Sequence, residues 1–276
     1  MNIRALGVYR EPEFSPGKVG DDAAVLDAAL AELARTGAVV STIAASEFPA
    51  ARIGDVDLVL AMCQGERALG KLAALEQNGA VALNSALAIR NCYRDLLCAG
   101  LMNAGVPVPA GGLIRTALPL ELAPIVSLDF AAALYVKRGD LHALGPDDVQ
   151  RAEGEAAFDA ALAAFRARGI ESAYVQQAVE GTVVKFYGVS GGEFFSVLSE
   201  GAVAEGGVGR KLALDAAAGA AALGLEVWGG DAIVDGDRAV IVDFNDWPSY
   251  SRVREQAGRA IARRSRALLR RARRAA

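Results

Sequence analysis

Histidine is all but missing from this chain of 276 residues, and His142 is the only one. A zinc centre built on several imidazoles is therefore excluded, as is a Ser-His-Asp triad that would use any other histidine. Cysteine is scarce too. Cys63, Cys92 and Cys98 are odd in number and show no metal-ligand spacing, and the last two fall in a helical pattern that suits buried free thiols. No stretch approaches eighteen uninterrupted apolar residues, so no membrane span is expected. The opening MNIRALGVYREPE has neither the basic head nor the apolar core of a signal peptide, and the expectation is a soluble cytoplasmic protein. An excess of positive charge is also absent: the net charge of −4 argues against general nucleic-acid binding by the whole molecule.

What the chain does have is apolar material, 53% of its residues, arranged as short β-like runs between alanine-rich segments. That is enough for two closely packed lobes and leaves little room for disorder. Basic charge is concentrated at the end, where GRAIARRSRALLRRARRAA places eight arginines around Ile261, Leu268 and Leu269. The apolar three share one helical face, which predicts a helix packed on one side and solvated on the other.

The first third alternates strand and helix. Strands are expected at 3–9, 38–43, 57–62 and 81–83, and helices at 21–36, 66–78 and 85–103, with Gly79 as a left-handed C-cap. Such alternation implies a small parallel sheet covered by helices. Val106-Pro107-Val108-Pro109 must run extended, and the domain boundary is set there, giving units of 1–105 and 106–276. Beyond it a strand at 132–137 and a long helix at 147–168 precede strands at 173–177, 183–189 and 193–197. A glycine-rich loop then leads into a helix at 212–223, and strands at 227–234 and 239–244 finish the pattern. Gly191-Gly192 and Asp235-Gly236-Asp237 supply hairpin turns, so this second part is α+β with largely antiparallel pairing.

The final hairpin carries the strongest chemical signal. Asp243 and Asn245 lie two apart on one strand and so share a face, and a neighbouring antiparallel strand brings Asp231 beside them. Two carboxylates and an amide oxygen are hard donors suited to magnesium, which retains waters and phosphate oxygens as its other ligands. Lys137 ends the apolar strand AAALYVK, where its point charge reaches a cleft; Gly139 and His142 follow in RGDLHALG. In YVQQAVEG, the strand runs into an extended connector that offers backbone groups and Gln177 to an adenine edge and Glu180 to ribose hydroxyls. The loop SEGAVAEGGVGRK couples glycines with Arg210 and Lys211 and suits closure over phosphates.

The order helix-AGVPVP, strand-lysine, QQ-connector, glycine loop with arginine, aspartate strand and D-x-N strand resembles the ATP-grasp superfamily over nearly the whole chain. The resemblance implies ATP and one or two magnesium ions, a hinge near 177–181 between two subdomains, and an α/β domain ahead of the grasp module. It matches Arg94 and Lys137 to the two basic nucleotide contacts, Gln177 to the adenine hinge, Arg210 to the phosphate-facing arginine, and Asp231, Asp243 and Asn245 to the metal ligands. Many relatives carry glutamate at the place of Asp243, and ligases usually place an acid where this chain has Val183 and Val184.

Two reactions stay open on this resemblance, with ligase placed first. A ligase activates a carboxylate as an acyl phosphate and passes it to an amine. An inositol-polyphosphate-type kinase phosphorylates a hydroxyl, and TVVKFYGV with Lys185, the aromatic and Pro248 after D-x-N, and the position of His142 are similar to that branch. Lys185 and Arg210 are the catalytic candidates. A kinase needs a cationic acceptor pocket, for which Arg10, Lys18, Arg138, Lys185, Lys211, Arg252 and Arg254 are the available residues. A non-catalytic nucleotide-binding protein is a third reading, against which the intact metal set stands. The expected partner is a small-molecule acceptor, and a homodimer is compatible with the superfamily.

Overall fold

The computed structural model describes residues 3–117, 129–199 and 207–275. Its first layer is a parallel sheet in the order β2-β1-β3-β4, formed by β1 (Arg4–Tyr9), β2 (Val39–Ala44), β3 (Leu58–Ala61) and β4 (Val81–Leu83). β3 reads LVLA and is buried throughout, as a strand covered on both faces must be. Helix α1 (Val19–Arg35) covers one side with Val25, Leu26, Ala29, Leu30 and Leu33; α2 (Glu66–Gln77) adds Leu69 and Leu72 to a separate cluster on the other. Gly79 terminates α2 with φ of 92°, the left-handed cap expected of it.

The expected helix over 85–103 is two helices, α3 (Ala86–Arg90) and α4 (Arg94–Asn103). Tertiary bonds break it. Asn91 donates to the Leu223 carbonyl at 3.1 Å and Tyr93, extended as the N-cap of α4, donates its hydroxyl to the Gln64 carbonyl. The break turns Arg94 inward, and it is 4% exposed.

Two antiparallel four-stranded sheets follow. One has the order β5-β8-β6-β7, with β5 (Gly111–Arg115), β6 (Leu134–Arg138), β7 (Val149–Ala152) and β8 (Ser172–Gln177), backed by α5 (Gly154–Ala167). β5 and β7 are absent from the sequence reading. Residues 111–115 take no element there, and glycine is needed at 111 because a Cβ at that position would collide with the Val175 carbonyl across the ladder. The start of the expected 147–168 helix is drawn instead into pairing with β6, and Gly154, at φ of 79°, marks the switch into α5.

The other sheet has the order β10-β9-β11-β12, from β9 (Thr182–Val189), β10 (Phe194–Leu198), β11 (Val227–Asp235) and β12 (Arg238–Asp246), with α6 (Gly207–Leu223) across it. Gly191, Gly192 and Gly236 turn its hairpins with positive φ. α6 begins five residues before the expected 212, and the rest of the glycine loop, 200–206, lies outside the described residues. Phe186, Trp228, Phe244, Leu212 and Leu223 join Leu97, Leu101 and Val106 in one core.

The last helix, α7 (Arg254–Ala275), packs Ala257, Ala260, Ile261 and Ala262 into the core of α1 and the parallel sheet, with Leu268 against it. Its arginines are partly committed: Arg264 holds Glu226 through bonds of 2.6 and 3.1 Å, Arg263 holds Glu193 and Arg273 holds Asp57. Asn84 ties the parallel layer to β11, accepting from Glu226 and Val227 amides and donating to the Val227 carbonyl. Among the described residues no helix is long and apolar enough to cross a membrane.

Close packing in the β9–β11 sheet gives a test of this arrangement. A Cβ at Gly188 would overlap the Trp228 indole, so Gly188→Val forces the ring to move. The expected cost is about 1–3 kcal/mol, read as a lowered urea midpoint; an unchanged midpoint would refute the packing.

Candidate functional site

The site begins with register. β11 and β12 place Asp231 directly opposite Asp243 and Gly229 opposite Asn245, and a bulge follows immediately after Asp231. β9 sets Lys185 opposite Asp231 on the other side. Glycine at 229 and 230 lets the strands close: a Cβ at 230 would strike the Asp243 carbonyl. The expected juxtaposition of the three oxygen donors is thus built by ladder pairing. Lys185 Nζ lies 2.8 Å from Asp231 Oδ1, and Asn245 Nδ2 donates to Asp243 Oδ2 at 3.2 Å.

Asp243 Oδ1 is buried and has no hydrogen-bond partner. Burial alone would push its carboxyl upward, but Arg94, Lys137 and His142 outweigh that and hold it below the usual aspartate value. Lys137, 7% exposed, donates to the Val242 carbonyl at 3.0 Å, and burial draws its ammonium down while Asp243 opposes the shift. An orphaned carboxylate oxygen beside two buried cations fits a group that brings its own compensating charges, as a metal with phosphates does. Among the described residues no three His, Cys, Asp or Glu side chains gather into a ready-made metal cage. The donor types suit magnesium, which needs few protein ligands, and Asp231, Asp243 and Asn245 are the residues that would hold it.

A cavity of about 380 Å³ opens beside these donors and is lined also by Arg10, Lys18, His142 and Lys185. His142 Nε2 is buried without a partner, and burial, aided by Arg94 and Arg10 and opposed by Asp243, pushes the imidazole down to about 4. It is therefore neutral at neutral pH. A second, smaller cavity carries Arg94 and Asp243 together with Cys98, Tyr174 and Gln176. Arg94 Nε is another buried atom without a partner. Cys98 has its thiol pushed up to about 11 by burial.

Other expected residues lie elsewhere. Gln177 spends its side chain on the 129–133 segment, donating to the Ala133 carbonyl at 3.0 Å and accepting from the Asp129 amide at 3.1 Å. Its own amide and that of Ala178 are bonded to Ala110 and Ala133. Glu180 is exposed in the connector between β8 and β9. Arg210 is exposed on the first turn of α6, and Arg252 is exposed; neither lines the larger cavity. Arg254 holds Asp21 at 2.7 Å at the cavity's border.

Sequence reasoning missed the polar network under the cavity. Arg10 donates to Asp22 at 3.2 Å and to the carbonyls of Met62, Asp246 and Trp247, which stitches β1 to the end of β12. Asp246, fully buried, accepts from Gln64 Nε2 at 2.6 Å. Ser15 donates to Asp22, and Glu11 accepts the Gln64 and Gly65 amides at 3.0 Å each, capping α2. Asp246 was the findable member, as the second acid in D-F-N-D; Gln64 and Ser15 carry no signal before folding. Past the strand, Trp247 and Tyr250 hold positive φ of 41° and 49°, anchored by bonds to Leu83, Gly188 and Trp228 carbonyls.

Two antiparallel sheets meeting at a cleft, with the carboxylate-amide set on one and the lysine on the other, behind a parallel α/β layer, define the ATP-grasp fold. Solved structures agree. The chain is similar to D-alanine–D-alanine ligase from Bacillus anthracis complexed with ATP, at 11% identity over 98% of this chain and 99% of that one, TM-score 0.71. It is also similar to a RimK domain ATP-grasp protein from Sphaerobacter thermophilus, at 18% identity over 95% and 99%, TM-score 0.69. A D-cycloserine synthetase matches at 16% identity over 94% and 99%, TM-score 0.65. Neither a protein-family model nor a curated protein sequence matches the chain. At these identities the likeness is one of fold.

The metal assignment has a direct test. Asp243→Asn removes the charge while keeping the shape, so magnesium-dependent ATP binding should weaken about tenfold or more, a change of about 1.4 kcal/mol per decade in calorimetry. Binding of ATP without magnesium should hold or improve, since Arg94 and Lys137 then lack their counter-charge. Wild-type affinity for magnesium-ATP would overturn the assignment.

Proposed function

We propose that this protein is an ATP-dependent ligase that activates a small carboxylate as an acyl phosphate and joins it to an amine. ATP lies between the two antiparallel sheets, its base toward the connector after β8. The backbone of Val179 and Glu180 there makes no hydrogen bond among the described residues. Arg94 and Lys137 face the phosphates. Magnesium, when bound by Asp231, Asp243 and Asn245, neutralises phosphate charge. The cleft then needs only to align the acceptor carboxylate with the terminal phosphorus, since positioning and electrostatics supply most of phosphoryl-transfer catalysis.

One observation favours this reading over a polyphosphate kinase: five of the seven basic residues available for an acceptor already pair with carboxylates. Arg10 is held by Asp22 and Asp246, Lys185 by Asp231, Arg138 by Asp140 and Asp148, Lys211 by Asp215, and Arg254 by Asp21. The cavity lining carries Asp21, Asp22, Asp231, Asp243 and Asp246 against Arg10, Lys18 and Lys185. A polyanion would meet a lining in which carboxylates outnumber cations, which disfavours it. A small acceptor with a single carboxylate, and room for an ammonium group, suits that mixed lining. The metal donors are intact, which supports turnover over passive nucleotide binding.

Release of ADP and inorganic phosphate from magnesium-ATP, screened against amino acids, peptides and inositol phosphates, tests the reading. Equal amounts of ADP and phosphate should appear only with a carboxylate and an amine together, and EDTA should abolish both. ADP without free phosphate, with phosphate retained on an inositol, would establish the kinase instead.

A further inference from the structure

An amine that attacks an acyl phosphate must give up a proton as the carbon–nitrogen bond forms, so a ligase gains from a base at the acceptor end of its cleft. The carboxylates there are already engaged. Asp231 takes Lys185, Asp21 takes Arg254, and Asp22 takes both Arg10 and Ser15. Asp246 accepts from Gln64 and faces Arg10 at 3.6 Å, and Asp243 belongs to the metal set. His142 is left. It lines the same cavity as Lys185 and Asp243, and its Nε2 is buried with no partner. The fields of Arg94 on the nucleotide side and Arg10 on the acceptor side both reach it.

We propose that His142 is the base that receives the proton of the attacking amine through its free Nε2. This rests on the ligase reading. The amine enters neutral, having left its extra proton in water. Its nitrogen bonds to the acyl carbon, one N–H proton passes to the Nε2 lone pair, and the carbon–oxygen bond to phosphate breaks with its electron pair leaving on inorganic phosphate. The imidazolium then returns its proton to solvent. Formation of the acyl phosphate involves no such transfer, because an ionised carboxylate has no proton to lose. His142 therefore acts in the second half-reaction alone.

The two half-reactions separate with hydroxylamine, which captures acyl phosphates as hydroxamates without a protein base. The wild type, His142→Ala and His142→Gln are supplied with magnesium-ATP and a mixture of the common L-amino acids and D-alanine, with and without hydroxylamine. Hydroxamate should form in the variants at the wild-type rate, while amide product falls about 100-fold, the lower end of what a general base contributes. His142→Gln keeps a polar side chain but no basic nitrogen, so it should match His142→Ala. Loss of hydroxamate and amide together would show that His142 serves phosphate binding or the fold and overturn the proposal, as would undiminished amide formation. If the wild type yields neither product, the ligase reading itself falls, and this inference with it.

Discussion

The arrangement of the cleft depends on keeping one carboxylate charged where water barely reaches it. Asp243 stands on β12 with an unpartnered oxygen, and burial alone would drive it toward its neutral form. Arg94 from α4 and Lys137 from β6 prevent this, although the three residues are far apart in the chain. Arg94 and Lys137 are themselves buried and require the carboxylate: without Asp243, two cations would stand close together out of water. The helix break at Asn91–Tyr93 and the ladder pairing of β6 and β8 exist in places that make this cluster possible.

A second buried ionic set performs a different task beneath the first. Arg10 reaches from the end of β1 to the carbonyls at the end of β12, and Asp22, Asp246, Gln64 and Ser15 satisfy the remaining groups. It fixes the parallel layer against the antiparallel sheet and forms the floor of the cavity. Arg10 looks in the sequence like an acceptor-binding cation, but the fold uses its guanidinium as a clamp. The same holds for Arg138, held by Asp140 and Asp148. Both guanidiniums are thereby engaged by carboxylates of their own fold.

Much was nevertheless readable without coordinates. Strand–helix alternation in the first third gives the parallel sheet, because periodicity and valine-rich runs act locally. Gly79, Gly191, Gly192 and Gly236 mark turns that all adopt positive φ. The spacing of Asp243 and Asn245 places them on one face, and Asp231 arrives opposite Asp243 because a short turn fixes hairpin register. β5 and β7 were not legible. Residues 111–115 take no element from the sequence pattern and 149–152 read as the head of a helix, and only pairing partners more than ten residues away make strands of them.

The sequence by itself determined most of the order of elements, the residue types that suit a metal with phosphates, and the exclusion of chemistry needing several histidines or clustered cysteines. These are local or compositional properties, and they do not depend on what lies across the fold. Tertiary structure decided which charges remain available. Pairing is a matter of ångströms between residues distant in the chain: Arg10 meets Asp246, Arg254 meets Asp21, and Gln177 turns back to residues 129–133. By the same convergence one neutral imidazole at the cavity is left with a buried nitrogen that has no partner.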